Sequence, residues 1–415
     1  MSKYPPWISP GQQGKSSASR MMNMEYRKDI VRKDQRYFAV VAGSLEKYAH
    51  QELLDFGAVI HKEVPRGLYF SCSSDVLYRI LYCSRLTQRV LYPLLGFDCH
   101  SAKYLYQQAR KNIAWTSLFH LDQKFAIDCN LSNSFVRHSL YASQVLKDAI
   151  CDSFRDQYQA RPSFSNKDAD ILFNLHIQNN YATIALDVLG RSMHMRGYRK
   201  HSVEAPLQET LAAAIVNIAA WDGETILCDP MCGSGTLIAE AIMRQCKIPA
   251  GYLRNNDGVR HLPGFDSELW KQIMDSEDAQ IVPLEKGKVF ASDINPEAVE
   301  ACTQNLAMLP GGENVQISCQ SFQSIAKGQG RLIITNPPYG VRLEKSLGVQ
   351  SVYHDLGDFL KQKCPSSVAY ILCGSKELVA DLRLRAHWTK SLKNGDLDTR
   401  LAKIVILSEV KPKST

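Results

Sequence analysis

Three short segments carry residue types that could do chemistry together. The first, ILCDPMCGSGTLIAEA (226–241), reads as a strand ending in Asp229, a turn holding Gly233 and Gly235, and a helix beginning at Thr236. Two glycines let a backbone pass close beneath a ligand, and the opening turn of a helix presents N–H groups without partners. Taken alone, the same pattern also serves as a plain structural turn. A nicotinamide site is disfavoured, because Ile238 replaces the third glycine of GxGxxG and no strand ends in an acid about 20 residues on. The second segment, KVFASDI (288–294), ends a strand in Asp293, which could accept ribose hydroxyls or cap the helix opened by Pro296. The third is Asn336-Pro337-Pro338-Tyr339, placed where the strand RLIIT runs out. Its prolines stiffen the backbone and remove two N–H donors. The Asn336 side-chain oxygen and a nearby carbonyl become acceptors at fixed separation, suited to the two N–H donors of an exocyclic amino group. Tyr339 offers a face on which a nucleobase can stack.

Other residues speak less clearly. Cys232 could be taken for a nucleophile, but it belongs to the glycine turn and packing is the simpler role. Arg191, Arg196, Arg199 and Lys200 stand in RSMHMRGYRKH (191–201), a stretch without an acid. They are placed either to meet RNA phosphates or to line a solvated strand between domains. Twelve cysteines show no CxxC spacing and eleven histidines no HxxxH spacing, so no metal is expected.

The elements that must position these residues follow from periodicity. YFAVVAG reads as a strand and SLEKYAHQELLDFGA as a helix, with Ser44 as its N-cap, Gly57 as its stop, and Leu45, Ala49, Leu53 and Phe56 on one face. VIHKEV and GLYFSC are strands around Pro65-Arg66-Gly67, and DVLYRILYCSRLTQRVLYPLL is a helix followed by an extended stretch. SAKYLYQQARKNI and YASQVLKDAICDSFRDQY read as helices and FAIDCNLS as a strand; LFNLHIQNNYATIALDVLG reads as two strands turning at Asn179-Asn180. From 207 onward strand and helix alternate, which predicts an α/β unit with an open, mostly parallel twisted sheet covered by helices on both faces. Residues 247–287 interrupt that rhythm as an insertion.

Composition sets the outer bounds. With 415 residues, 45% hydrophobic and 22% charged, the chain has material for two or three packed domains. No run approaches 18 apolar residues and the N-terminus lacks the apolar stretch of a secretory signal, so a cytoplasmic protein with reduced thiols and no membrane partner is expected. Of the net charge of +7, residues 1–36 hold 8 Lys/Arg against 3 Asp/Glu, which marks a basic, disordered arm.

DPMCGSGT, then ASDI, then NPPY resembles the class I S-adenosylmethionine-dependent methyltransferases that modify exocyclic amino groups. More narrowly, the chain is similar to the bacterial 23S ribosomal RNA guanine-N2 methyltransferases. APLQETLAAAIV (205–216), HLPGFDSELW (261–270) and LKNGDLDTRL (392–401) resemble that family's segment before the first strand, its insertion and its C-terminal hairpin. AGSLEKYAHQEL, GLYFSC, SRLTQRVL, LKDAICDSFRD, ARPSF and LDVLGRSMHMRGYR resemble its ferredoxin-like and THUMP portions. The resemblance implies an arm at 1–36, a ferredoxin-like domain at 37–99, a THUMP RNA-binding domain at 100–190, a linker at 191–205 and a Rossmann-like methyltransferase domain at 206–410. The family's common form continues into a second methyltransferase domain, and only the first activity is implied here.

Carried over, Asp229, Pro230, Gly233, Gly235 and Thr236 would line the methionine end of S-adenosylmethionine, with Thr210 nearby. Asp293 would hold the ribose and Ile294 would pack on the adenine. Ser321 stands where the family usually has an Asp that accepts from the adenine amino group, and a hydroxyl accepts more weakly than a carboxylate. Asn336 and the Pro337 carbonyl would accept the two N–H groups of guanine N2, with Pro338 stiffening the loop and Tyr339 stacking. The implied partner is 23S ribosomal RNA or a large-subunit precursor particle, with no stable protein partner and no metal. A transfer-RNA guanine-N2 methyltransferase is the first alternative, because THUMP domains occur there too. A protein glutamine methyltransferase is disfavoured by the RNA-type domain upstream. A non-catalytic RNA-binding assembly factor is the last alternative.

Overall fold

A computed structural model of the chain describes residues 36–200, 207–339 and 346–408. The basic arm lies outside the described residues except for Arg36, which opens the first strand; residues 201–205 of the expected linker and residue 206 after it also lie outside them.

The first segment runs β1 (Arg36–Val41), α1 (Glu46–Asp55), β2 (Val59–Val64), β3 (Gly67–Ser71), α2 (Ser74–Cys83) and β4 (Thr87–Asp98). Leu45, Ala49 and Leu53 are buried along one face of α1, each leucine worth about 2 kcal/mol of burial. Ser44 does not cap this helix. Its φ is +74°, and Leu45 is the residue before the first helical position. The chain turns there so that Leu45 can enter the core, where it has no exposed surface.

The second segment runs α3 (Ala102–Asn112), α4 (Trp115–Leu118), β5 (Phe125–Ser132), α5 (Ser139–Tyr158), β6 (Ile171–Gln178) and β7 (Tyr181–Asp187). Asn179 and Asn180 both have positive φ, 49° and 60°, as a tight two-residue hairpin requires. Alternation holds along β6, where Ile171, Phe173, Leu175 and Ile177 are buried and the residues between them are not. All these strands form one seven-stranded sheet in the order β2-β3-β1-β4-β7-β6-β5. The early part of β4 pairs with β1 and the later part with β7. Hydrogen bonding therefore continues through the expected boundary at 99.

The remaining chain runs α6 (Glu209–Ala219), β8 (Leu227–Asp229), α7 (Thr236–Gln245), α8 (Ser267–Asp278), β9 (Val289–Asp293), α9 (Pro296–Leu306), β10 (Gln316–Cys319), β11 (Leu332–Thr335), α10 (Ser346–Lys363), β12 (Val368–Cys373), α11 (Lys376–Asp381), β13 (Ala386–Asn394) and β14 (Leu397–Val405). The second sheet has the order β10-β9-β8-β11-β12-β14-β13, parallel from β10 to β12 and closed by an antiparallel hairpin. β11 is buried at every position, as a central parallel strand with both faces covered should be.

The insertion at 247–287 is the dock between the two halves. Tyr82 donates to Asp278 Oδ1 at 2.8 Å, the Asp266 N–H donates to the Tyr78 hydroxyl at 2.7 Å, and the Trp270 ring meets Tyr78 edge-on at 5.5 Å. A single hydrophobic core runs from Leu53 and Leu81 of the first half to Leu211, Ile242 and Leu372 of the second. No helix among the described residues is long and apolar enough to cross a membrane.

Candidate active site

In the second sheet the strand order reverses between β8 and β11, and crevices for ligands open at the carboxyl ends of parallel strands at such a switch point. The three segments singled out in the sequence end there. Asp229 closes β8, Asn336 follows β11, and the two strands are directly paired through Cys228 and Ile333. Asp293 closes β9, the other neighbour of β8.

The loop from Pro230 to Gly235 arches over these ends. Pro230 is buried, Gly233 has a φ of +53° and Gly235 of +85°. A Cβ at Gly235 would stand 2.7 Å from Cys302 Sγ on α9, so the close approach excludes a side chain as well as the backbone conformation disfavouring one. The Cys232 N–H bonds the Ser292 carbonyl at 2.9 Å, and the Gly233 N–H bonds Asp293 Oδ2 at 2.9 Å. Asp293 also accepts from the Asn295 N–H at 3.0 Å. It does not cap α9; the Asn295 side chain does that by accepting from Glu297 N–H. Ile294, next in line, is 74% exposed, an apolar side chain left uncovered just past the end of β9.

Asp229 is buried and accepts from the Thr335 hydroxyl across the strand pair at 2.8 Å and from the Met231 N–H at 3.2 Å. Burial pushes its carboxyl up to about 7 against those two stabilising bonds, with the nearby Asp293 charge adding a smaller push upward. Below about pH 4 the group is neutral whether the chain is folded or not. Between about 4 and 7 the unfolded chain releases a proton that the folded one keeps, so this group's contribution to stability falls as pH rises through that window. Asp229→Asn keeps an acceptor for Thr335 and Met231 and never ionises. Its unfolding midpoint should therefore gain on the wild type between pH 5 and pH 8 in thermal melts. A difference that is flat with pH would show that the carboxyl titrates normally.

Thr236 and Thr210 are buried at the first turns of α7 and α6. Arg199 Nη2 donates to Thr236 Oγ1 at 3.0 Å, and Thr210 Oγ1 has no partner. Ser321 sits after β10 and caps a short 3-10 turn by accepting from the Gln323 N–H at 3.3 Å.

On the other wall, Asn336 Oδ1 is buried without a hydrogen-bond partner among the described residues. Pro337 is buried, Pro338 exposed and Tyr339 half-buried. The Tyr339 ring lies against Gly374 so closely that a Cβ there would come within 2.7 Å. Residues 340–345 lie outside the described residues.

The expected basic contacts divide. Arg191 and Lys200 are exposed. Arg196, by contrast, is 1% exposed and its Nε pairs with Glu240 at 3.1 Å, which corrects its reading as an RNA-phosphate contact. Arg199 is also turned inward, its Nε 3.1 Å from Glu209. A phosphate has no access to a guanidinium enclosed with its own carboxylate. Three participants escaped the sequence reading, namely Thr335, Glu240 and Glu209. Each meets its partner across at least 10 positions of chain, and no local spacing signals such pairs.

These residues fit S-adenosylmethionine. Gly233 and Gly235 give the loop a left-handed backbone free of side chains, Asp293 offers a carboxylate for hydroxyls, Ile294 an apolar face, and the opening of α7 lacks a side-chain cap. Among the described residues no group of three or more His, Cys, Asp or Glu is arranged to hold a metal.

Three family matches tile the chain: an RlmL ferredoxin-like domain over residues 36–91, a THUMP domain over 99–187 and an RMKL-like methyltransferase domain over 196–403. A candidate RNA methyltransferase of Synechocystis sp. is 34% identical over 88% of this chain and 96% of its own length. The ribosomal RNA large subunit methyltransferase K/L of Vibrio campbellii is 34% identical over 87% of this chain, which spans 52% of that longer protein. A candidate methyltransferase solved with S-adenosylhomocysteine shares the fold, with a TM-score of 0.79 at 22% identity over 91% of this chain and 99% of its own. The RMKL-like methyltransferase match over residues 196–403, preceded by the ferredoxin-like and THUMP matches, and the 34% identity to the Synechocystis relative place this chain in the RMKL-like methyltransferase family.

Proposed function

We propose that the chain transfers a methyl group from S-adenosylmethionine to the exocyclic N2 of a guanine in large-subunit ribosomal RNA. The observation that carries this reading is the buried, unpartnered Asn336 Oδ1 at the end of β11. Buried acceptors are nearly always satisfied, so an orphan beside a proline carbonyl, at a switch point, is an acceptor waiting for a donor that arrives with the substrate. An exocyclic amino group brings two. The name of the Vibrio campbellii relative supports ribosomal RNA as the substrate class, and the THUMP match supports an RNA.

The bound cofactor supplies an electrophilic methyl on a sulfonium. An aromatic amine is a poor nucleophile because its lone pair is delocalised into the ring. Asn336 Oδ1 and the Pro337 carbonyl accept its two N–H bonds and so direct the lone pair out of the ring plane toward the cofactor side; N2 gains the methyl as the methyl–sulfur bond breaks, leaving S-adenosylhomocysteine, and gives up one of its two protons to solvent. Tyr339 stacks on the extruded base and offsets part of the cost of leaving the helix. Asp293 and the Gly233–Gly235 loop hold the donor in line, and alignment supplies much of the acceleration.

The test is methyl transfer from labelled S-adenosylmethionine to protein-free ribosomal RNA and, separately, to bulk transfer RNA. Both should come from cells lacking this protein, with products digested to nucleosides. N2-methylguanosine from the large ribosomal RNA alone is the expected result. The same nucleoside from transfer RNA keeps the chemistry and overturns the substrate, and a different methylated base overturns the chemistry.

A further inference from the structure

Tyr339 is fixed from outside its own loop. The Asn394 side-chain amide donates through Nδ2 to the Tyr339 hydroxyl oxygen at 3.0 Å, across 55 positions of chain. Asn394 is the last residue of β13, half-buried, and is followed by a two-residue turn in which Gly395 takes a φ of +62°. That turn lets the end of an outer hairpin lean over the carboxyl side of the sheet. The far side of the ring rests on Gly374, just past the end of β12. Between a backbone floor and a single donor at the phenol, the ring has one plane available to it.

The hairpin is itself anchored to the first half of the molecule. On β13, Lys390 Nζ donates to the Tyr48 hydroxyl of α1 at 3.0 Å and lies 4.9 Å from the Trp388 ring centroid. Leu392 and Leu401 carry the two hairpin strands into the core shared by both halves. The strand that reaches Tyr339 thus also touches the ferredoxin-like unit.

We infer that Asn394 is a positioning residue for base methylation, holding the Tyr339 ring in the plane against which the target base stacks. The inference rests on the reading of Asn336–Tyr339 as the base-accepting loop. A ring that is anchored at its hydroxyl keeps its face toward the base. A ring released there turns about its side-chain bonds and stacks less well once the base has been drawn out. Asn394 touches the ring and not the cofactor loop, so the loss is expected in kcat while KM for RNA and cofactor affinity hold.

The experiment is a double-mutant cycle of Asn394→Ala and Tyr339→Phe on the full chain, read as kcat and KM for RNA together with calorimetric binding of S-adenosylhomocysteine. Each single variant should lose about five- to tenfold in kcat, and the double variant should lose no more than either, because both break the same bond. Asn394→Asp, whose carboxylate can accept from the phenol, should recover most of the rate. Asp396→Ala, exposed on the same turn, should match the wild type. Losses that multiply in the double variant, or an Asn394→Ala enzyme as fast as the wild type, would overturn the inference. The wild-type product separates the two levels of argument. A base other than N2-methylguanosine would defeat the proposed function, yet the cycle would still report on Asn394, since a stacked ring serves any base.

Discussion

Asn336→Ala should lose about 10²- to 10³-fold in kcat, the scale of removing one preorganised partner of a developing charge, while S-adenosylhomocysteine binds within about twofold of the wild type. The argument turns on what Asn336 touches before substrate arrives. Its Oδ1 has no hydrogen-bond partner among the described residues, so deleting it breaks no bond seen to hold the fold or the cofactor loop. Removing an unsatisfied buried acceptor should leave the unfolding midpoint unchanged or slightly raised. Asn336→Asp retains an acceptor at the same place and should keep part of the rate. Initial rates on ribosomal RNA, calorimetry with S-adenosylhomocysteine and a thermal melt of the same preparation decide the matter. A variant that loses cofactor binding along with transfer would mean that Asn336 serves the cofactor side of the crevice, and its assigned role would fall.

That chemistry was legible because it sits where periodicity is strongest. Parallel strands such as LIIT are short apolar runs, and the residues that follow them must lie at one edge of the sheet. Asp229, Asp293 and Asn336 could thus be placed together from sequence, and the structure brings all three to neighbouring strand ends. The hairpin at Asn179-Asn180 was readable for a similar reason, since asparagine tolerates the left-handed backbone that tight turns demand. What stayed hidden depends on tertiary pairing. Arg196 and Arg199 stand in a basic stretch without an acid, and only the fold reveals that their carboxylates come from Glu240 and Glu209. Asn394 lies in the segment that resembles the family's C-terminal hairpin, but nothing local ties it to Tyr339. α4, at four residues, is too short to show a period. Ser44 had a capping side chain in a plausible place, and the burial of Leu45 overrode it.

Glu240→Ala should be the most damaging change away from the crevice, costing about 3–5 kcal/mol and lowering the unfolding midpoint by roughly 5 °C. Glu240 has no exposed surface, lies on α7 one turn past Thr236, and faces two guanidinium groups. Arg196 Nε is 3.1 Å from Oε1 and Arg85 Nη1 is 3.7 Å from Oε2, while the Tyr198 hydroxyl approaches Oε1 at 3.5 Å. Arg85 belongs to the segment before β4, and Arg196 to the connection after β7, so one carboxylate ties the first half of the chain to the cofactor helix. Burial already drives the Arg85 guanidinium below its ordinary range, with Glu240 the largest opposing influence. Without Glu240 the hydrogen bonds left to the two guanidinium groups go to backbone carbonyls, those of Met193 and Arg85 for Arg196 and those of residue 240 and Ile248 for Arg85, and only the charges of Glu52 and Glu209 still oppose theirs. Glu240→Gln, which keeps the shape and one acceptor, should lose less. A double change of Glu240→Leu with Arg196→Met should also lose less than Glu240→Ala, because fewer unpaired charges stay behind. Thermal and denaturant melts of the three variants provide the ranking. A Glu240→Ala protein within about 1 kcal/mol of the wild type would mean that water reaches these guanidinium groups, and that the other contacts between the two halves, the dock of Tyr78, Tyr82 and Trp270 among them, hold them together without this carboxylate.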